Sequence, residues 1–340
     1  MDLMIKNKEG VTLHTANKYC KEDISVGVET EEITIIPNKE QQIKEGLFTK
    51  VTVEPVPVDE ASWDSSQITS AYQMFYNNRD MIEAPFFNIE NAKTIESMFQ
   101  SCTNLITVPA YNFKNATNMK NAFKSCSSLT TVGEINTEKA TTLYGTFHEC
   151  SKLTNIPKMN TSQVTSMNYA FNAMYQIQTI PELDTSKVTS MEHMCRNCSR
   201  LISIPKLNTE KVTSMYYSFA NCSNLTDIAE LDGSSITNIY GIFYQSASVT
   251  NFIGLKDLGK AYTQKTQNYS NYSFDLTPCV LLTYDSLINI IDNLYDLNLT
   301  YDVANGGTLY MQTLKLGSTN LAKLTAEEIA IATAKGWNVT

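Results

Sequence analysis

NTSQVTSMNYAF (160–171), DTSKVTSMEHMC (184–195) and NTEKVTSMYYSF (208–219) are near-copies of one phrase, and their first residues, Asn160, Asp184 and Asn208, are evenly spaced. Working outward from them, the same spacing organises most of the chain. Phenylalanines stand at Phe75, Phe99, Phe123, Phe147, Phe171, Phe219 and Phe243, with Cys195 in the one missing place. Three residues on comes Cys102, Cys126, Cys150, Met174, Cys198 and Cys222, and three further Met81, Leu105, Leu129, Leu153, Ile177, Leu201, Leu225 and Val249. Further apolar columns run through Ile95, Met119, Leu143, Met167, Met191, Met215 and Ile239, and through Val108, Val132, Ile156, Ile180, Ile204 and Ile228. One coil cannot bury so many apolar side chains by itself, so neighbouring coils must stack, and a strict period of this length predicts a solenoid.

Within one coil, Met, Phe and Cys at i, i+4 and i+7 predict one face of a short helix. The following S-x-L-T-x-I-P reads as a short strand ended by proline, which has no N–H for a ladder. The Asn136-Thr137, Asp184-Thr185 and Asn208-Thr209 steps read as turns whose side chains cap backbone groups of the same or the next coil.

Composition narrows the function. The 340 residues carry a formal charge of -9, and the first 60 hold 7 Lys/Arg against 12 Asp/Glu. That balance argues against nucleic acid or an anionic membrane as a partner, and no apolar run is long enough to insert in a membrane. The amino terminus, MDLMIKNKEGV, lacks the apolar core of a signal peptide. The expectation is either a leader absent from this chain or a route that does not use the Sec pathway.

Nothing in the pattern predicts catalysis or a cofactor. Cys195 and Cys198 have C-x-x-C spacing, but both occupy apolar columns, and no second pair completes a metal site. The column cysteines are expected as buried free thiols, because parallel Cβ vectors make the disulfide torsion awkward. His14, His148 and His193 are far apart along the array, and no ligand-spaced Cys or carboxylate accompanies them. The variable positions beside the Met and Phe columns are richer: Tyr72 and Tyr76, Tyr144 and His148, Tyr169, Glu192 and Arg196, Tyr216 and Tyr217, Tyr240 and Tyr244. Tyrosines at diversified places on a rigid frame suit recognition. Tyr144, His148, Tyr169, Tyr216, Tyr217, Tyr240 and Tyr244 are therefore the candidate binding residues, against the alternative that they merely pack between coils. On the other side, Thr107, Thr131, Asn155, Thr179, Ser203 and Asp227, with Glu134, Lys158, Glu182, Lys206 and Glu230, read as a solvated strand face.

The repeated N-T-S-x-V-T-S-M-x-x-x-F-x-x-C phrases resemble the BspA-type leucine-rich repeats of bacterial surface proteins. The resemblance runs from Ile68 to Phe252 and implies adhesion or protein recognition without catalysis. The fold it implies is an α/β solenoid, a leucine-rich-repeat array of about eight 24-residue coils over 61–255. A small N-terminal β module over 1–60 and an α/β C-terminal cap over 256–340 complete it. In the cap, Leu287, Ile288, Ile291 and Leu294 predict a helical stripe and Thr308 to Leu316 a strand. Thr325 to Glu328 reads as a capping box opening a helix over 326–335, Gly336 as its C′ residue, and Trp337 as folding back on the core. SLINIIDNLYDLN and the closing segment resemble caps of repeat proteins from gut bacteria and their phages.

At the amino end, 24–28, 33–36 and 48–53 alternate like strands. GVTLHTANKYCKEDISVGVE resembles short β modules of phage tail proteins, and a simple N-terminal cap is the alternative. Together these resemblances imply a virion protein, assembled in the host cytoplasm and attached to other virion proteins through its N-terminal module. Its array would bind a bacterial surface protein or glycan, and homo-oligomerisation is left open. A bacterial cell-surface adhesin and a purely structural virion spacer are the alternative expectations.

Overall fold

A computed structural model describes residues 65–263, 273–299 and 312–340, and the backbone of three short strands near the amino end. Those strands, Asp2–Lys6, Thr12–Ala16 and Ile35–Ile36, form one antiparallel sheet with Asp2–Lys6 in the middle. Ile35–Ile36 falls within the strand expected over 33–36, whereas the strands expected over 24–28 and 48–53 lie outside the described residues.

From residue 65 onward the backbone pairs with itself at a constant offset. Thr107–Val108 lies parallel to Thr131–Val132, with Thr107 opposite Thr131. Ser203–Ile204, Asp227–Ile228 and Asn251–Phe252 form a second parallel ladder. A chain of single parallel bridges joins Thr94, Asn118, Thr142, Ser166, Ser190, Ser214 and Asn238. One threonine column reinforces this. The Oγ1 atoms of Thr141, Thr165, Thr189, Thr213 and Thr237 each donate to the carbonyl 24 residues earlier, at 3.0–3.2 Å.

The segment between the Met and Cys columns departs from the expected helix. In the coil at 95–102 alternate N–H groups go to different places. Met98, Gln100 and Cys102 donate three residues back, closing turns, while Ile95, Ser97, Phe99 and Ser101 donate to carbonyls of the following coil at 2.7–3.0 Å. Paired positions in each coil carry left-handed backbone to make this possible: Ser97 (φ 56°) and Ser101 (φ 64°), Asn121 and Ser125, Tyr169 and Ala173, His193 and Asn197. Each is the third residue of its turn, where a type II turn requires positive φ. An α-helix would consume every N–H inside the segment. The turn run instead sends half of them to the neighbour, so the coils are bonded on this side as well as on the strand side. The inter-coil bonds offset the cost of left-handed non-glycine residues, roughly 1–2 kcal/mol each.

The apolar columns meet inside. Phe75, Phe99, Phe123 and Phe147 stack with centroids 5.2–5.5 Å apart, Phe147 and Phe171 at 6.4 Å, and Phe219 and Phe243 at 6.1 Å. Cys195 breaks the aromatic run and is itself fully buried. The cysteine column has a polar role inside this core. Cys102, Cys126, Cys150 and Cys198 Sγ donate to the Phe-column carbonyl of the preceding coil at 3.0–3.1 Å, and Ser246 Oγ makes the same bond to Phe219 at 2.7 Å. The seven described cysteines are free. Desolvation pushes the Cys102 thiol up to about 12 and raises Cys126, Cys198 and Cys222 well above the ordinary range.

The Asn/Asp-Thr steps behave as their side chains dictate. Asn136, Asp184 and Asn208 Oδ1 accept from the N–H two residues on. Thr137, Thr185 and Thr209 Oγ1 donate to the next coil at 2.8–2.9 Å.

The carboxyl region closes the far edge. Helix α1 (Tyr284–Asn293) is capped by Thr283, whose side chain accepts from Ser286 N. Ser286 Oγ donates to Thr250 O and accepts from Phe252 N, and Asn293 Nδ2 donates to Ile253 O. The last coil's backbone groups thus end on the cap rather than in an open edge. The buried stripe of α1 is Leu287, Ile290 and Ile291, with Leu294 just beyond; Ile288 is only half-buried. After the short helix α2 (Gly317–Leu321), α3 (Ala326–Ala334) opens on the Thr325/Glu328 capping box. Gly336 takes φ 86°, and Trp337 is buried, its Nε1 donating to Tyr295 O at 3.0 Å. Gln312–Lys315 is a strand paired with Ser273–Asp275 and Trp337–Val339; 308–311 lie outside the described residues.

Candidate recognition surface

The first of the two left-handed positions in each coil forms a column on the turn side of the array, and its occupants are Gln73, Ser97, Asn121, Gly145, Tyr169, His193, Tyr217 and Gly241. Side chains one coil apart in such a column meet face to face. Tyr169 stacks on His193 at 4.6 Å, and His193 on Tyr217 at 5.8 Å with rings 4° from parallel. Gly241 ends the column for a physical reason: a Cβ there would sit 2.8 Å from the Tyr217 ring.

A second column runs beside the first. Tyr144 meets Tyr169 at 5.6 Å, Tyr216 meets Tyr217 edge-on at 4.7 Å, and Tyr216 stacks on Tyr240 at 5.8 Å. His148 lies 5.7 Å from Tyr169, and Tyr244 5.7 Å from Tyr217. The seven candidate residues, from four coils, are joined through His193 of a fifth into one ribbon of touching rings. They are not pairs on short helices, as expected; the helix is absent, and the contact runs between coils. His193 belongs to the ribbon too, although its distance along the sequence from His148 suggests isolation. The signal for it is its shared column with Tyr169 and Tyr217.

Exposure grades along the ribbon. His193 is buried, Tyr144, His148, Tyr169, Tyr216 and Tyr217 are half-buried, and Tyr240 and Tyr244 are 43 and 46 % exposed. Two cations sit on the rings: Lys120 Nζ is 5.4 Å from the Tyr144 centroid, and the Arg196 guanidinium 5.3 Å from that of Tyr217. The carboxylates are engaged by hydroxyls, with Ser125 donating to Glu149 and Ser214 to Glu192, both at 2.6 Å. Glu149 also lies 3.6 Å from His148 Nε2. Desolvation lowers both histidines below their usual pKa, with Lys124 adding to the effect at His148 and Arg196 at His193. Burial raises the Tyr169 and Tyr217 phenols, and the Tyr240 hydroxyl raises Tyr217 further.

The family model described as "Mycoplasma protein of unknown function, DUF285" matches the chain four times, at residues 56–131, 80–179, 117–225 and 171–275. These overlapping matches together span 56–275 of the 340 residues. The chain belongs to this family. A comparison with curated proteins finds no match.

The other side of this DUF285 chain is chemically different. Lys158, Glu182, Lys206 and Glu230 are exposed there, and Glu182, Asp184, Lys206, Glu230, Asp232 and Lys256 rim a shallow groove. Phe86, 61 % exposed, stacks on Tyr111 of the next coil at 6.4 Å on this side, but no aromatic ring is among the residues lining the groove. Among the described residues no three His, Cys, Asp or Glu side chains gather as a metal ion would require, and no helix of theirs is long and apolar enough to cross a membrane.

Proposed function

We propose that this DUF285 protein is a non-enzymatic recognition protein built on a leucine-rich-repeat-type solenoid. Its ligand would be a bacterial surface protein or glycan bound along the ribbon from Tyr144 to Tyr244. In this reading it is tail-associated in a phage virion, held to other virion proteins by the N-terminal module. The observation that carries the recognition role is the ribbon itself. Eight aromatic side chains from five coils join into one continuous run of ring contacts, whereas Ile82, Ile106, Ile202 and Ile253, also exposed on the coils, are aliphatic and make no ring contact. Aromatic side chains of this kind offer contact area at low entropic cost and dominate binding hot spots. The repeated match to one family model along the chain supports the repeat architecture.

The ring-to-ring packing favours a second reading, in which the tyrosines only seal the turn layer and the array is a spacer in a virion or on a cell surface. The test is a Tyr240→Ala/Tyr244→Ala variant, which removes the two most exposed rings without hollowing the column beneath. It should lose binding to bacterial cells, whereas a Lys158→Ala/Glu182→Ala/Lys206→Ala control should bind as before. Normal binding by the tyrosine variant would assign the surface to the spacer reading.

A further inference from the structure

Arg196 stands apart from the other cations of the array. Its guanidinium lies over the Tyr217 ring, its Nε is buried, and no described protein group accepts a hydrogen bond from that Nε. The nearest acid of its own coil, Glu192, accepts from Ser214 Oγ instead. Next to it, His193 is 7 % exposed and its Nδ1 likewise has no hydrogen-bond partner among the described residues. Polar atoms buried this way cost free energy unless something pairs with them. A guanidinium taken partly out of water and left without a counter-ion is suited to receive a planar anion through two parallel N–H bonds. The local charge permits it: residues 117–247 carry ten Lys/Arg and ten Asp/Glu, although the whole chain is at -9. On and beside the ribbon Lys120, Lys124 and Arg196 outnumber Glu149 and Glu192.

We infer that the ribbon binds an acidic glycan, with a carboxylate or phosphate of the glycan on Arg196 and its neutral sugar rings along Tyr240 and Tyr244. This rests on the recognition reading above and narrows it. A glycan fits better than an acidic peptide because the ribbon presents phenol edges, hydroxyls and a cation, with the aliphatic side chains beside it closed off from the surface. The aliphatic columns beside it, Met167, Met191 and Met215, are fully buried. Peptide anchors need apolar pockets, whereas sugars present hydroxyls to polar edges and C–H faces to aromatic rings.

The experiment is calorimetric titration of the full chain with four probes: oligogalacturonate, a glycerol-phosphate oligomer, a neutral cello-oligosaccharide of equal length, and oligoglutamate. One or both acidic glycans should bind at least tenfold more tightly than the neutral one and than oligoglutamate, and the stronger of the two identifies the anion. Arg196→Gln should weaken that binding at least tenfold, while Arg196→Lys, which keeps charge but not the bidentate fork, should fall between. Melting curves for both variants establish that they are folded. Equal binding of neutral and acidic glycans, or an Arg196→Gln variant that binds like the parent, overturns the acidic-glycan inference and leaves the recognition reading standing. Preference for oligoglutamate assigns the site to an acidic peptide and overturns it as well. If no probe binds and the Tyr240→Ala/Tyr244→Ala variant still binds cells, the recognition reading fails together with it.

Discussion

Replacing Phe147 with alanine removes the middle of a stack. Its ring is fully buried, 5.2 Å from Phe123 and 6.4 Å from Phe171. Truncating a core phenylalanine costs about 3–5 kcal/mol through lost transfer energy and the cavity left behind. Two features put this site in the upper half of that range. The ring contacts on both sides are each worth roughly 0.5–1.5 kcal/mol beyond burial. The coils above and below also cannot collapse into the gap, because Phe147 N is bonded to Ala170 O at 2.9 Å and Phe123 N to Thr146 O at 2.9 Å. Tyr144, three residues earlier, is half-buried between Tyr169 and Lys120. Its truncation opens onto solvent instead of hollowing the core, and should cost about 1 kcal/mol. Urea denaturation followed by far-ultraviolet circular dichroism measures both, with the midpoint shift read at constant slope. The reasoning is refuted if the two variants lose the same stability, or if the Phe147 variant loses less than the Tyr144 one.

Cys150→Ser should be nearly neutral, because Ser246 makes the same bond in its own coil, whereas Cys150→Ala should cost about 1 kcal/mol from the missing donor and volume; comparing their urea midpoints decides this. Iodoacetamide at pH 8 should label the column cysteines far more slowly in native than in denatured protein, since burial both raises the thiol pKa and blocks access; rapid native labelling of Cys126 by mass spectrometry would show the core assignment to be wrong. The two ribbon histidines make stability fall on acidification. Their folded-state pKa is depressed, so the unfolded chain binds protons first, and stability present above about pH 6.5 is lost as pH drops toward the folded value. Urea midpoints between pH 7.5 and 5.5 should show that slope, and His193→Gln should flatten it; an unchanged slope in that variant would contradict the burial argument.

Much of this molecule could be read from single residues. Any side chain that recurs at a fixed period meets copies of its own surroundings, so the Phe, Cys, Met and Leu columns had to be the interior. Local hydrogen-bond chemistry was equally legible: the Thr325/Glu328 box, the Asn/Asp-Thr turns and the left-handed Gly336 depend on residues a few positions apart. The Met–Phe–Cys segment was not decided locally. Apolar residues at i, i+4 and i+7 point inward from a helix, and equally from a run of turns with a left-handed residue at every fourth place. Which one forms depends on whether alternate N–H groups are bonded within the segment or to a neighbouring coil, and only the stacked structure supplies those neighbours. The ribbon has the same origin. Tyr144, Tyr169, His193, Tyr217 and Tyr240 each find a ring partner in an adjacent coil, so their contact exists only once the coils lie against one another.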